Sequence, residues 1–156
     1  MDPNALASEL KSFKVFFDRS TACLTEEDSS FAPVEGLMTA AQTVAHVAQT
    51  VDWFIEWAIR VEGFNMDFEG QGAASAGVAS LAAAREWLDR SFATAEEVIL
   101  KHSAEEWVMP LPEGPVMGGA PRFVIFGGIN DHTAHHRGVL AVYSRLRGHV
   151  PAMPYM

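Results

Sequence analysis

Four segments of the sequence carry apolar residues at helical spacing, and stretches rich in glycine, proline or serine separate them. No segment alternates apolar and polar residues over a length that would build a sheet, and no internal repeat is present. Amphipathic helices must bury their apolar faces against one another, and four of similar length do so in a bundle. The sequence therefore predicts an all-α protein, a four-helix bundle with long inter-helix loops.

The first two predicted helices have clear start signals. Asp2-Pro3 is typical of a helix N-terminus, and the first helix is expected to fade after Ser20. The second is predicted to begin at the capping box Thr39–Gln42 and to continue to Gly63, with Val61 in its apolar seam. The inward stripe of the first helix comprises Leu6, Leu10, Phe13 and Phe17.

The last two predicted helices enclose a proline-rich connector. The third runs from Leu81 to Lys101-His102, after the stretch "EGQGAASAG" (69–77), which is expected to be a break. Four prolines exclude a helix in "MPLPEGPVMGGAP" (109–121) and leave room for a short extended piece. The fourth helix is predicted from Arg122 to Arg147, with Gly148 and Pro151 as stop signals.

Length, charge and cysteine content limit the classes of function. A chain of 156 residues that is 49% hydrophobic is expected to form a single domain, residues 1–156. A net charge of −9 would repel a phosphate backbone, so nucleic acid is not an expected partner. We expect a cytoplasmic protein without a membrane partner, because the chain lacks a signal-peptide pattern and a long apolar run, and Cys23 is its single cysteine.

Three of the six histidines lie within five positions, in "NDHTAHHRG" (130–138). On a helical wheel His132 and His136 lie near the centre of the inward arc, whereas His135 lies about 80° away and is expected either at the surface or next to a ligand without binding the metal itself. Side chains at i and i+4 are neighbours, so both inward imidazoles can reach one metal ion. The alternative is a hydrogen-bonded pair in the core, but buried imidazoles among Ile, Val and Leu favour a metal.

His46, on the second helix, is the candidate third ligand. It lies at the edge of the apolar arc, on the same flank as Thr50 and Trp53. Facing helices of a bundle commonly build a metal site together. The predicted ligands are thus His46, His132 and His136, for a divalent ion such as nickel, zinc or iron. His102, His149 and the acidic stretch "TEED" (25–28) have no predicted role in chemistry.

The stretches "HVAQTVDWF" (46–54) and "NDHTAHHRGVLAVYSRLRG" (130–148) have the order and spacing of a known family's motifs. Members of that family typically show two adjacent histidines followed by R-G-Q on the last helix, as His135, His136, Arg137 and Gly138 do here, and Val139 stands where they usually have glutamine. The chain resembles the DinB/YfiT-like superfamily of metal-binding four-helix bundles over nearly its whole length. The resemblance implies a three-histidine site on the same residues. For several branches of the superfamily, the resemblance implies a thiol-dependent transferase or isomerase that uses bacillithiol, mycothiol or glutathione.

Three protein ligands would leave a coordination position open, which is typical of a catalytic metal. A hydrolase usually places a carboxylate beside the metal-bound water, but Thr133 stands where the glutamate of H-E-x-x-H would be. A low-molecular-weight thiol needs no such base, because a metal lowers its pKa. The sequence favours a metal-dependent thiol S-transferase acting on a small-molecule substrate. The alternatives are a hydrolase whose base comes from a loop and a non-catalytic bundle in which the metal is structural.

The apolar arc of the second helix is wider than one bundle seam requires. Val44, Trp53, Ile55 and Trp57 lie at its margins. We therefore expect part of this arc to face a second copy of the chain in a homodimer. Trp53, Trp57 and the stretch 69–77 are also the nearest candidates for the walls of a substrate pocket.

Overall fold

The structure, a computed structural model that describes residues 1–156, consists of helices without a β-strand. One isolated bridge, Pro110 to Pro121, pairs the two ends of the proline-rich connector. The all-α class predicted from the sequence is therefore confirmed. The six α-helices are α1 (Pro3–Thr21), α2 (Ala40–Ala58), α3 (Phe68–Ala76), α4 (Leu81–Lys101), α5 (Ala104–Val108) and α6 (Ile125–Leu146).

The four long helices, α1, α2, α4 and α6, enclose the core. Helices α1 and α2 each pack against both α4 and α6, so each long helix has two long neighbours. The apolar stripe predicted for α1 is buried throughout, as is the α4 stripe from Leu81 to Ile99. This packing turns the inner faces of α2 and α6 toward each other.

Several helix starts follow from side chains that accept orphan backbone N–H groups. Asp2 caps α1, and Thr39 and Gln42 form both bonds of the predicted capping box on α2. Ser103 and Glu106 form the same motif on α5. These local signals are reliable because each depends on residues only two or three positions apart.

Helix α2 is shorter than predicted, and this corrects the expected role of Val61. The helix ends at Ala58, well before Gly63, and Val61 is 84% exposed. The chain turns here so that the carbonyl of Asn65 can accept a hydrogen bond of 2.8 Å from Nε1 of Trp53. A tertiary contact therefore overrides the apolar periodicity of the sequence.

The stretch predicted as a break between the second and third long helices contains helix α3. Asp67 caps it by accepting from the N–H of Gly70 at 2.9 Å. Its alanines favour a helix enough to offset two glycines. Helix α6, in contrast, begins later than predicted. Residues Arg122–Val124 form a 3₁₀ turn, and the α-helix starts at Ile125.

The acidic stretch 25–28 forms a 3₁₀ turn, Glu26–Asp28, that joins three parts of the chain. Asp28 is 1% exposed and accepts hydrogen bonds from Nε of Arg147 (2.7 Å), from Nε2 of His149 (3.0 Å) and from the N–H of Thr25 (2.9 Å). Burial alone would raise the pKa of Asp28, but these hydrogen bonds outweigh it and lower the pKa to about 2. The first loop is thus tied to the end of α6.

The margins of α2 are mostly covered within one chain. Val44 and Ile55, which the sequence placed toward a second copy, are buried. Trp53 packs against the core and stays partly exposed. None of the helices has the length and apolar character needed to cross a bilayer.

Candidate metal centre

The histidine cluster forms where α2 faces α6. His46 on α2 meets His132 and His136 on α6, and one ring nitrogen from each lies within 4.8 Å of the others. The ring centroids are 4.5 to 4.9 Å apart. Because His132 and His136 are one helical turn apart, a single face of α6 presents both rings to α2.

All three rings are held in the neutral form. Burial is the main cause of the lowered pKa at each of them. The pKa of His132 falls to about 4 and that of His136 to about 3, because a charge on a neighbouring imidazole adds to the cost of burial. Neutral imidazole has a lone pair to donate, so the cluster is ready to bind a metal at neutral pH.

The rings are only partly satisfied by hydrogen bonds within the protein. Nε2 of His132 lies 3.1 Å from Nε2 of His46 and 3.5 Å from Oγ1 of Thr50. His136 is 7% exposed, and its Nδ1 has no hydrogen-bond partner. Two imidazole nitrogens on one tetrahedral ion would be about 3.3 Å apart, so the observed 3.1 Å separation and the unpartnered nitrogen both fit a bound cation.

His135 lies outside the cluster. Its side chain is exposed, although its ring centroid is 4.8 Å from that of His136. The helical wheel predicted this difference between adjacent residues. The residues brought together are therefore the three that the sequence singled out, and the fourth nearby histidine serves as an internal comparison.

A cavity of about 300 Å³ opens beside His46 and His132. Its walls combine aromatic rings with carboxamides and contain no Asp, Glu, Lys or Arg. Helix α3 supplies one wall, so the stretch 69–77 does contribute to a pocket, as does Trp53. The remaining lining residues are Gln49, Thr50, Phe54, Phe68, Gln71 and Gly72.

Sequence reasoning missed the two glutamines of this wall. Nε2 of Gln49 donates to Oε1 of Gln71 (2.9 Å), and Nε2 of Gln71 donates to the carbonyl of Asn65 (3.1 Å). The spacing of Gln49, three residues after His46, is a signal that could have found it. Gln71 carried no such signal, because α3 was not predicted.

Close approach of α2 and α6 next to the cluster depends on Gly128, one turn before His132. A Cβ at this position would lie 2.8 Å from Cζ of Phe54 and 3.0 Å from Cε of Met117. Phe54 lines the cavity. A larger residue would therefore displace a cavity wall.

Comparison with known families agrees with this arrangement. A sequence model described as the DinB superfamily matches residues 17–140, a span that includes all three clustered histidines. The chain belongs to the DinB superfamily. No curated protein matches its sequence. DinB membership and the three-histidine cluster together fit a metal-binding DinB-like protein.

Proposed function

We propose that this DinB-superfamily protein holds one divalent transition metal, nickel, zinc or iron, through His46, His132 and His136, and that it is a metal-dependent thiol S-transferase. Residues 1–156 form one domain in this proposal, with the four long helices as the four-helix bundle of the family. The second substrate is a small electrophile that binds in the cavity beside the cluster.

The observation that carries the proposal is the composition of the cavity wall next to the histidines. Two of the three neutral imidazoles, those of His46 and His132, line a cavity of about 300 Å³ that no carboxylate lines. A hydrolase would need a base there to activate water. A bound transition metal lowers the pKa of a coordinated thiol from its free value of about 8.5, so the thiolate forms without a protein base.

In this proposal, the histidines and the residues that line the cavity have different roles. The three imidazoles would hold the metal and would leave room for a further ligand, since the group contains no fourth protein ligand. Trp53, Phe54 and Phe68 give the cavity an apolar wall, and the amides of Gln49 and Gln71 offer hydrogen bonds to a neutral substrate. A structural metal would instead be closed by a fourth side chain.

The test is a titration of the cobalt- or nickel-loaded protein with glutathione, bacillithiol and mycothiol. Binding of sulfur at the metal should produce a sulfur-to-metal charge-transfer band, since a thiolate is a softer ligand than water. The band should be absent in His132→Ala and unchanged in His135→Ala. If none of the three thiols changes the metal spectrum at millimolar concentration, the thiol mechanism is wrong and a hydrolase or a binding role takes its place.

The homodimer expected from α2 stays a prediction. Burial of Val44 and Ile55 within one chain removes part of its basis. Sedimentation at micromolar concentration tests it, and a monomer alone would exclude it.

A further inference from the structure

Three of the four tryptophans line a second cavity, on the outer side of α2. This tryptophan cavity has a volume of about 300 Å³ and lies between α2, α4 and the segment before α3. Trp53 and Trp57 come from α2, and Trp87 comes from α4. All three are partly exposed, whereas Trp107 is 0% exposed in the core. Each of the three tryptophans thus keeps part of its ring at the surface, although Trp53 and Trp87 also pack against the core.

Two carboxylates alternate with these rings. Asp52 precedes Trp53, and Glu56 precedes Trp57 one turn later, so acids and indoles form a stripe along α2. The other lining residues are carboxamides, and no Lys, Arg or His is among them. The cavity therefore combines aromatic faces with net negative charge.

The negative charge is held in place by the fold. Nε1 of Trp87 donates to Oδ2 of Asp52 at 2.7 Å, which fixes the carboxylate against α4. Burial and the nearby charge of Glu56 raise the pKa of Asp52 by more than the hydrogen bonds from Trp87 and Ser91 and the charge of Arg90 lower it. A cation in the cavity would stabilise the ionised form of Asp52.

One positively charged side chain of the protein already binds to an indole and a carboxylate at the rim of the tryptophan cavity. The guanidinium of Arg60 lies 4.7 Å from the centroid of the Trp57 ring and forms an ion pair with Glu56. One indole and one carboxylate of the stripe thus stabilise a positive charge in the structure. Attraction of this kind between a cation and an aromatic face strengthens when water is excluded.

We propose that the tryptophan cavity binds an organic ammonium ion, with its alkyl groups against the indoles and its charge beside Asp52 and Glu56. Gln49, Trp53 and Gln71 line both this cavity and the one beside the histidines, so the bound cation lies next to the candidate metal centre. The binding itself requires no metal.

Choline and its uncharged carbon analogue 3,3-dimethylbutan-1-ol separate this proposal from simple hydrophobic binding. The two compounds have nearly the same shape and differ in charge. Isothermal titration, with tryptophan fluorescence as a second readout, should show choline binding about tenfold more tightly. The affinity should be the same in metal-loaded and metal-free protein. Equal affinity for the two compounds would overturn the proposal.

Some variants of the cavity are expected to weaken choline binding, and one is expected to tighten it. Asp52→Asn keeps the acceptor for Trp87 but removes the charge, so it should weaken choline binding by about tenfold, as should Trp57→Leu. The same change in charge at the exposed Glu97, Glu97→Gln, is the control and should have no effect. Arg60→Met removes the competing cation and should tighten binding, which a misfolded variant would not do. Unchanged affinity in both Asp52→Asn and Arg60→Met would contradict the assignment.

Discussion

The histidine cluster and the Asp28 cluster both bury ionisable side chains, but they satisfy them differently. Both oxygens of Asp28 accept hydrogen bonds from the protein, and two of the donors belong to residues after α6. In the histidine cluster, Nδ1 of His136 and Oγ1 of the neighbouring Thr133 are buried without a partner. A buried polar group that the chain satisfies is part of its structure, whereas one left unsatisfied needs a partner from outside the chain, such as an ion or a water molecule. The predictions below test this contrast.

The largest expected effect is on metal affinity. His46→Ala or His136→Ala removes one of three ligands and should lower the affinity for a divalent transition metal by more than about 100-fold. His135→Ala, on the same helix but outside the cluster, should stay within about twofold. Metal analysis of the purified proteins and competition with a chelator measure both. Equal losses in all three variants would show that the ligands are assigned wrongly.

Removal of the charge at Asp28 should affect stability instead. Asp28→Asn weakens hydrogen bonds to Arg147 and His149 and should lower the free energy of unfolding by about 2 kcal/mol. Asp18→Asn, which breaks a more exposed pair with Lys14, should cost less than about 1 kcal/mol. Urea denaturation gives both values. The metal bound per folded Asp28→Asn chain should not change; a loss there would mean that the two clusters are coupled.

In the metal-free protein, the two clusters should change the free energy of unfolding over different ranges of pH. The pKa values of His132 and His136 are about 4 and about 3, below the ordinary 6.5, so the unfolded chain binds more protons and stability falls as the pH drops from about 6.5 to about 4 for His132 and to about 3 for His136. The pKa of Asp28 is about 2 against an ordinary 3.8, so its contribution is present above pH 4 and is lost between about 4 and 2.

Denaturation curves measured from pH 2 to pH 7 check this order. The double variant His132→Leu/His136→Leu should flatten the upper part of the pH dependence, and Asp28→Asn should flatten only the lower part. A double variant that keeps the slope between pH 4 and 6.5 would assign that slope to other groups.

The smallest expected effect is on the free energy of unfolding of two threonine variants. Thr133→Val removes a buried hydroxyl that has no partner and should change the free energy of unfolding by less than about 0.5 kcal/mol, or raise it. Thr25→Val removes a hydroxyl that lies 3.2 Å from the Asp28 carboxylate and should cost about 1 kcal/mol. Thermal denaturation of the two variants side by side is sufficient. A larger cost at Thr133 would mean that its hydroxyl has a partner in solution.

Helical periodicity predicted the meeting of His46, His132 and His136, because each position depends only on its own helix and on the rule that apolar faces turn inward. The same reasoning was wrong for Val61, where a hydrogen bond from Trp53 to Asn65 turns the chain out of the helix. It also gave no role to Asp28, whose partners lie 119 and 121 residues away. Local patterns carry no information about such distant pairs.

The partners of Asp28 are synthesised long after Asp28 itself. Arg147 follows Asp28 by 119 residues, which a ribosome adds in about 6 to 24 s at 5–20 residues per second. For that interval the carboxylate has neither Arg147 nor His149 as a partner and stays hydrated. All six α-helices are therefore made before the first loop can close over its charge, and the native environment of this one side chain is completed only after α6 has been translated.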